Sequence, residues 1–105
     1  MSTATLIAAA TRVCHLQISG DLQGVGYRLS MAPLARSLGL SGWVRKQIDG
    51  NVQAVVSGAT DSVQALIERA RRGTSGAKVL SVSVTLAEGN FRGFEQRETG
   101  WNLPL

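Results

Sequence analysis

The chain has 105 residues, enough for one compact domain with a core of its own. Its 44% hydrophobic content excludes a disordered chain, and the single Cys14 and single His15 exclude an internal disulfide framework and a His/Cys zinc cluster. A net charge of +4, from 11 Lys+Arg against 7 Asp+Glu, favours anionic partners, whether nucleic acid or a phosphorylated metabolite.

Residues 1–10 read as a loose tail, with no basic leader and an apolar run too short to cross a bilayer. Together with the lone cysteine this suits a cytoplasmic protein. "RVCHLQIS" then alternates: Cys14, Leu16 and Ile18 fall on one side, Val13, His15 and Gln17 on the other, the pattern of a strand with one buried face. The glycine-rich stretch "SGDLQGVGYR" follows. In "MAPLARSLGL" the spacing of Met31, Leu34, Ala35 and Leu38 predicts an amphipathic helix closed by Gly39. Pro33 fits only a first turn, so the helix either begins near Ser30 or bends early.

"GWVRKQ" and "VQAVVS" flank "IDGN", whose Asp49-Gly50 pair signals a hairpin. "TDSVQALIERARRG" predicts a second helix with Val63, Leu66, Ile67 and Ala70 inward. Thr60 or Asp61 would cap it, Arg71 and Arg72 would suit its negative end, and Gly73 would stop it. "KVLSVSVTL" predicts a long strand with Leu80, Val82, Val84 and Leu86 on one face, and "FRGFEQRET" a short last strand. The order predicts an α+β fold, a ferredoxin-like βαββαβ sandwich with two helices on one face of an antiparallel sheet. The domain would span residues 11–98, with 99–105 as a C-terminal tail.

Glycines at a strand–helix junction suit two readings. One is a tight connection. The other is a nest of backbone N–H groups, reinforced by the helix N-terminus and the Arg28 fork, that holds a tetra-oxygen anion. The stretch is neither a Walker A loop nor a dinucleotide fingerprint, since its glycine spacing fits neither.

"ISGDLQGVGYR" resembles the phosphate-binding loop of the acylphosphatase family, G-x-V-Q-G-V-x-F-R, and "GWVRKQIDGNVQAVVSG" resembles its second signature, G-W-V-x-N-x-x-x-G-x-V. The resemblance covers about residues 11–98. It implies metal-free hydrolysis, without cofactor, of the carboxyl–phosphate bond of an acylphosphate to a carboxylate and inorganic phosphate. It also implies that Arg28 holds the phosphoryl group and that the backbone amides of Gln23, Gly24, Val25, Gly26, Tyr27 and Arg28 form the cradle. Tyr27 stands where the family has phenylalanine, and Leu22 where it has valine. Lys46 stands where the family has the asparagine that orients the attacking water. An amide both donates and accepts; an ammonium only donates.

Three outcomes remain open at Lys46. The chain is a slowed acylphosphatase; or another group takes over, either the Gln47 amide, which strand alternation aims at the opposite face unless a bulge intervenes, or Lys46 itself acting as a base; or the chain is a catalytically silent phosphate- or anion-binding module. A rival of another class is an RNA-binding domain on the same kind of sandwich. It would need aromatics on the central strands, taken here as "RVCHLQIS" and "KVLSVSVTL", and these contain none. The expected partner is a small acylphosphate or inorganic phosphate, with no nucleic acid, no membrane and a monomeric state. Trp43 reads as a packing residue, Trp101 as part of the tail, His15 as solvent-exposed, Asp49 as a turn residue and Cys14 as a small buried hydrophobe.

Overall fold

A computed structural model of the chain describes residues 11–22, 27–73 and 77–98. Along them run β1 (Thr11–Asp21), α1 (Tyr27–Ser37), β2 (Ser41–Lys46), β3 (Val52–Ala59), α2 (Thr60–Arg72), β4 (Lys78–Leu86) and β5 (Phe94–Gln96). The strands form one sheet in the order β4-β1-β3-β2-β5, antiparallel except where β5 joins β2 in parallel. Both helices pack on one face, α1 over β2 and β5, α2 over β4, β3 and β1. This is the ferredoxin-like α+β sandwich that the sequence predicts. The tails and Trp101 lie outside the described residues.

The alternation in β1 sets the core. Cys14, Leu16 and Ile18 are at most 1% exposed, and the register sets them beside Val56, Ala54 and Val52 of β3. They meet Val63, Leu66, Ile67 and Ala70 of α2 and Met31, Ala32 and Ala35 of α1. Each fully buried aliphatic of this kind contributes roughly 1.5–3 kcal/mol. The Asp49-Gly50 hairpin forms between β2 and β3, with the Asn51 amide donating to Asp49 Oδ1 at 2.9 Å.

Four local details depart from the sequence reading. First, α1 begins at Tyr27 and carries Pro33 in its interior. Pro33 sits on the exposed side, while Tyr27, Met31 and Ala35 bury the other face; packing of that face outweighs the missing N–H. The helix does end as expected. The Leu40 amide donates to the Ala35 carbonyl and the Gly39 amide to that of Arg36, a Schellman closure for which Gly39 supplies φ +73°. Second, neither Thr60 nor Asp61 caps α2. Strand β3 runs straight into the helix, so Ala59 occupies the cap position and makes no side-chain cap.

Third, β4 is an edge strand, and the central pair is β1 and β3 rather than β1 and β4. Strand β3, "VQAVVSGA", likewise has no aromatic residue. Fourth, Leu80, Val82, Val84 and Leu86 do not share a buried face. A bulge opposite Ser19 and Gly20 leaves Leu80 unpaired and 77% exposed. Val79 and Val82 pack on the core, but Val84 and Leu86 are 37% and 80% exposed.

Candidate active site

The antiparallel order brings particular chain ends together. Strands β1 and β2 finish, and β3 and β4 begin, at one end of the sheet. The register pairs Ile18 with Val52 and Val52 with Lys46, so Lys46 lies in a row close to the end of β1. Helix α1 starts at this end, a few residues after β1 stops, and α2 ends there. Lys46 and the first turn of α1, which contains Tyr27 and Arg28, therefore sit at the same pole. Gln23, Gly24, Val25 and Gly26 lie outside the described residues. They are bracketed by Leu22 and Tyr27, which are 7% and 2% exposed and so anchor both ends of the connection in the core.

A helix N-terminus presents unsatisfied N–H groups and a partial positive charge, and this one follows directly on the glycine-rich connection. Tyr27 holds it in place. Its hydroxyl donates to the Ala70 carbonyl at 2.8 Å, joining the first turn of α1 to the last turn of α2. Burial pushes the phenol up to about 12. The extra hydroxyl at the family's phenylalanine position thus finds a partner in a carbonyl near a helix end.

Lys46 shares the helix-side face with Val44 and Val52, is half-buried, and has no ion-pair partner among the described residues. Gln47 points the other way: its Oε1 accepts a hydrogen bond from Gln17 Nε2 on the open face of the sheet. It is 5% exposed, and Gln17 holds its amide on that face. Basic groups gather at the same pole. The last turn of α2 carries Arg69, Arg71 and Arg72, and β4 opens with Lys78, whose backbone pairs with Asp21. In the linear sequence the arginines read only as complements of the helix dipole; the topology is what gathers them around the start of α1.

The open face of the sheet holds a second polar group of residues that the sequence did not reveal. Arg45 Nε donates to Gln53 Oε1 at 2.9 Å, which turns Gln53 Nε2 towards His15 Nε2 at 3.0 Å. His15 Nε2 must accept, so the ring is neutral with its proton on Nδ1, and burial lowers its pKa. His15 is half-buried and hydrogen-bonded rather than solvent-exposed as expected. Trp43 is 5% exposed, with the guanidiniums of Arg45 and Arg97 at 5.2 and 4.8 Å from its ring centre, a packing role with cation–π support.

Fold and pole together define a ferredoxin-like sandwich with a helix N-terminus and a cluster of cations at one end of the sheet. Comparison with known proteins bears out the fold and supplies the family. The family model described as Acylphosphatase matches residues 14–96. An acylphosphatase from Albidiferax ferrireducens is 51% identical over 85 residues, covering 81% of this chain and 92% of the relative. One from Acidovorax sp. is 50% identical over 93 residues, covering 88% and 96%. The solved structure of an acylphosphatase from Coxiella burnetii superposes with a TM-score of 0.79 at 32% identity, covering 83% of this chain and 93% of that one. The chain belongs to the acylphosphatase family, which makes it a hydrolase of the acylphosphatase type.

Proposed function

We propose that the chain hydrolyses the carboxyl–phosphate bond of small acylphosphates, with water attacking phosphorus as the carboxylate leaves. The backbone amides of Gln23, Gly24, Val25, Gly26, Tyr27 and Arg28 cradle the phosphoryl oxygens, and the Arg28 guanidinium holds two of them. A carboxylate is a weakly basic leaving group, so it departs without a strong general acid. What the protein supplies is position and positive charge. In this reading neither a metal nor an organic cofactor takes part, and the site is complete within one chain. The observation that supports it is the convergence of the two motifs: the start of α1 with Arg28 and the end of β2 with Lys46 share one cationic pole.

Lys46 shapes the rate. Its ammonium offers three donors and no acceptor, so it pairs with a phosphoryl oxygen instead of orienting a water through a lone pair. Turnover is therefore slow, and inorganic phosphate competes well. A single compact anion pocket also suits a free metabolite better than nucleic acid or a membrane surface, and no described helix is long and apolar enough to cross a membrane. The buried free Cys14 suits a cytoplasmic setting. Lys46 also favours a second reading, in which the site binds phosphate and does not turn over.

The test is steady-state hydrolysis of benzoyl phosphate in EDTA. The proposal expects a measurable rate, a loss of about 10²-fold or more in Arg28→Ala, and a gain of about 10–10²-fold in Lys46→Asn. A native chain that binds phosphate without exceeding the buffer rate would replace the enzyme reading with the binding module. Activity that vanishes in EDTA and returns with a divalent metal would overturn the metal-free mechanism.

A further inference from the structure

A cleft of about 50 Å³ lies between α1 and α2, at the pole where α1 starts and α2 ends. Tyr27, Ser30, Met31 and Leu34 wall it on one side, Leu66 and Arg69 on the other. The four α1 positions are one stripe of that helix, spaced i, i+3, i+4 and i+7. Met31 and Leu66 are buried and make the floor; Ser30 and Arg69 are exposed and mark the mouth. Ser30 is short, which leaves the mouth open.

The two hydroxyl protons in the wall are already committed. Tyr27 donates to the Ala70 carbonyl at 2.8 Å, and Ser30 donates to the Tyr27 carbonyl at 2.7 Å. What remains is hydrocarbon: the Tyr27 ring and the Met31, Leu34 and Leu66 side chains. Arg69 has no ion-pair partner among the described residues, and its aliphatic stem adds to the apolar rim. Such a lining selects an apolar group and gives nothing to a hydroxylated one.

We infer that this cleft is the subsite for the acyl group, and that Ser30, Met31 and Leu34 set a preference for short, unbranched aliphatic chains. The inference rests on the acylphosphatase reading of the pole and adds the class of acyl group to it. Reach supports the assignment. Ser30 lies three residues past Tyr27, about 4.5 Å along the helix axis. An acyl group whose phosphoryl end sits at the first turn of α1 spans that distance with its carbonyl carbon and the next two or three carbons. An acetyl group stops at the mouth; a butanoyl group reaches Met31 and Leu34. Size sets the upper limit. An apolar cavity of about 150 Å³ takes a whole benzene, and this cleft has about a third of that volume. It takes the end of a chain, and a benzoyl ring stays outside it. Direction is consistent as well. In-line displacement puts the attacking water and the leaving carboxylate on opposite sides of phosphorus. The cleft lies in the helix layer, so the water is left the sheet side, from which Lys46 rises.

The test has two arms on the intact chain. In the first, kcat/KM is measured in EDTA for acetyl, propanoyl and butanoyl phosphate. The expected gain is about fourfold per added methylene, read in KM. In the second, calorimetry gives the Kd of acetylmethylphosphonate and butanoylmethylphosphonate, whose P–C bond does not hydrolyse. The longer one should bind about tenfold tighter or more, and it alone should shift the Met31 and Leu34 methyl signals in NMR. Ser30→Phe sets a ring in the mouth and should flatten both series to within about twofold. Damage to the phosphoryl end would instead weaken every member alike and keep the slope. A chain-length gain in the phosphonates without turnover of any substrate would sink the hydrolase reading and uphold the subsite. Hydrolysis with equal kcat/KM across the series and equal Kd for the two phosphonates would do the reverse. A slope that survives in Ser30→Phe, or methyl shifts away from Met31 and Leu34, would also overturn the subsite. Neither binding nor turnover would overturn both.

Discussion

Tyr27 is the chain's one tyrosine, which makes its ionisation directly visible. It is 2% exposed, its hydroxyl donates to the Ala70 carbonyl, and burial pushes its pKa up to about 12, against about 10 in an unfolded chain. Below pH 10 the phenol is protonated in both states, and its contribution is fully present. As the pH rises past 10 the unfolded chain loses the proton and the folded chain keeps it. Stability then falls until the folded phenol also ionises near pH 12. About two pH units at roughly 1.4 kcal/mol each make a total loss of about 3 kcal/mol. Urea unfolding at pH 9 and pH 11 would show about half of it, roughly 1.3 kcal/mol, with Tyr27→Phe as the reference for every other group that titrates there. The phenylalanine variant should lose about 1 kcal/mol at pH 8, because the Ala70 carbonyl still accepts from the Gly73 amide at 3.2 Å. It should lack the extra decline above pH 10. Phenolate absorbance in the folded chain gives the pKa independently. A native phenol that titrates near pH 10, or the same alkaline decline in Tyr27→Phe, would refute the argument.

Two further outcomes follow from particular geometries. The folded pKa of His15 is lowered, so its contribution is present above about pH 6.5 and is lost as the pH falls through the lower folded value; His15→Gln should flatten that part of the acid limb in urea titrations, and nitrogen NMR of the lone imidazole should report the Nδ1–H tautomer. Gly42 has φ +131°, and a Cβ there would lie 1.9 Å from the Val55 carbonyl oxygen, so Gly42→Ala should lower stability by about 3 kcal/mol or more and shift the thermal midpoint by over ten degrees.

The linear pattern alone determined the architecture. Period-two alternation in "RVCHLQIS" and the helical spacing of Val63, Leu66, Ile67 and Ala70 are local signals, and the structure buries those side chains. The two motifs that contain Arg28 and Lys46 were also legible, because each is contiguous along the chain and the family match spans both. Tertiary structure decided what depends on residues distant in sequence. Whether a strand is central or an edge is a matter of partners, so β4, with the long apolar pattern of a buried strand, lies at the margin with Leu80 and Leu86 in solvent. A bulge changes facing by one residue, and nothing in "KVLSVSVTL" announces it. The Pro33 conflict was settled by the buried face of α1 rather than by local propensity. The Nδ1–H tautomer of His15 rests on a relay through Gln53 to Arg45 across three strands. The cationic pole exists because antiparallel connection returns the end of α2 and the end of β2 to the start of α1. Local sequence sets which face a segment can bury; only the assembled sheet and helices set which faces are covered and which charges become neighbours.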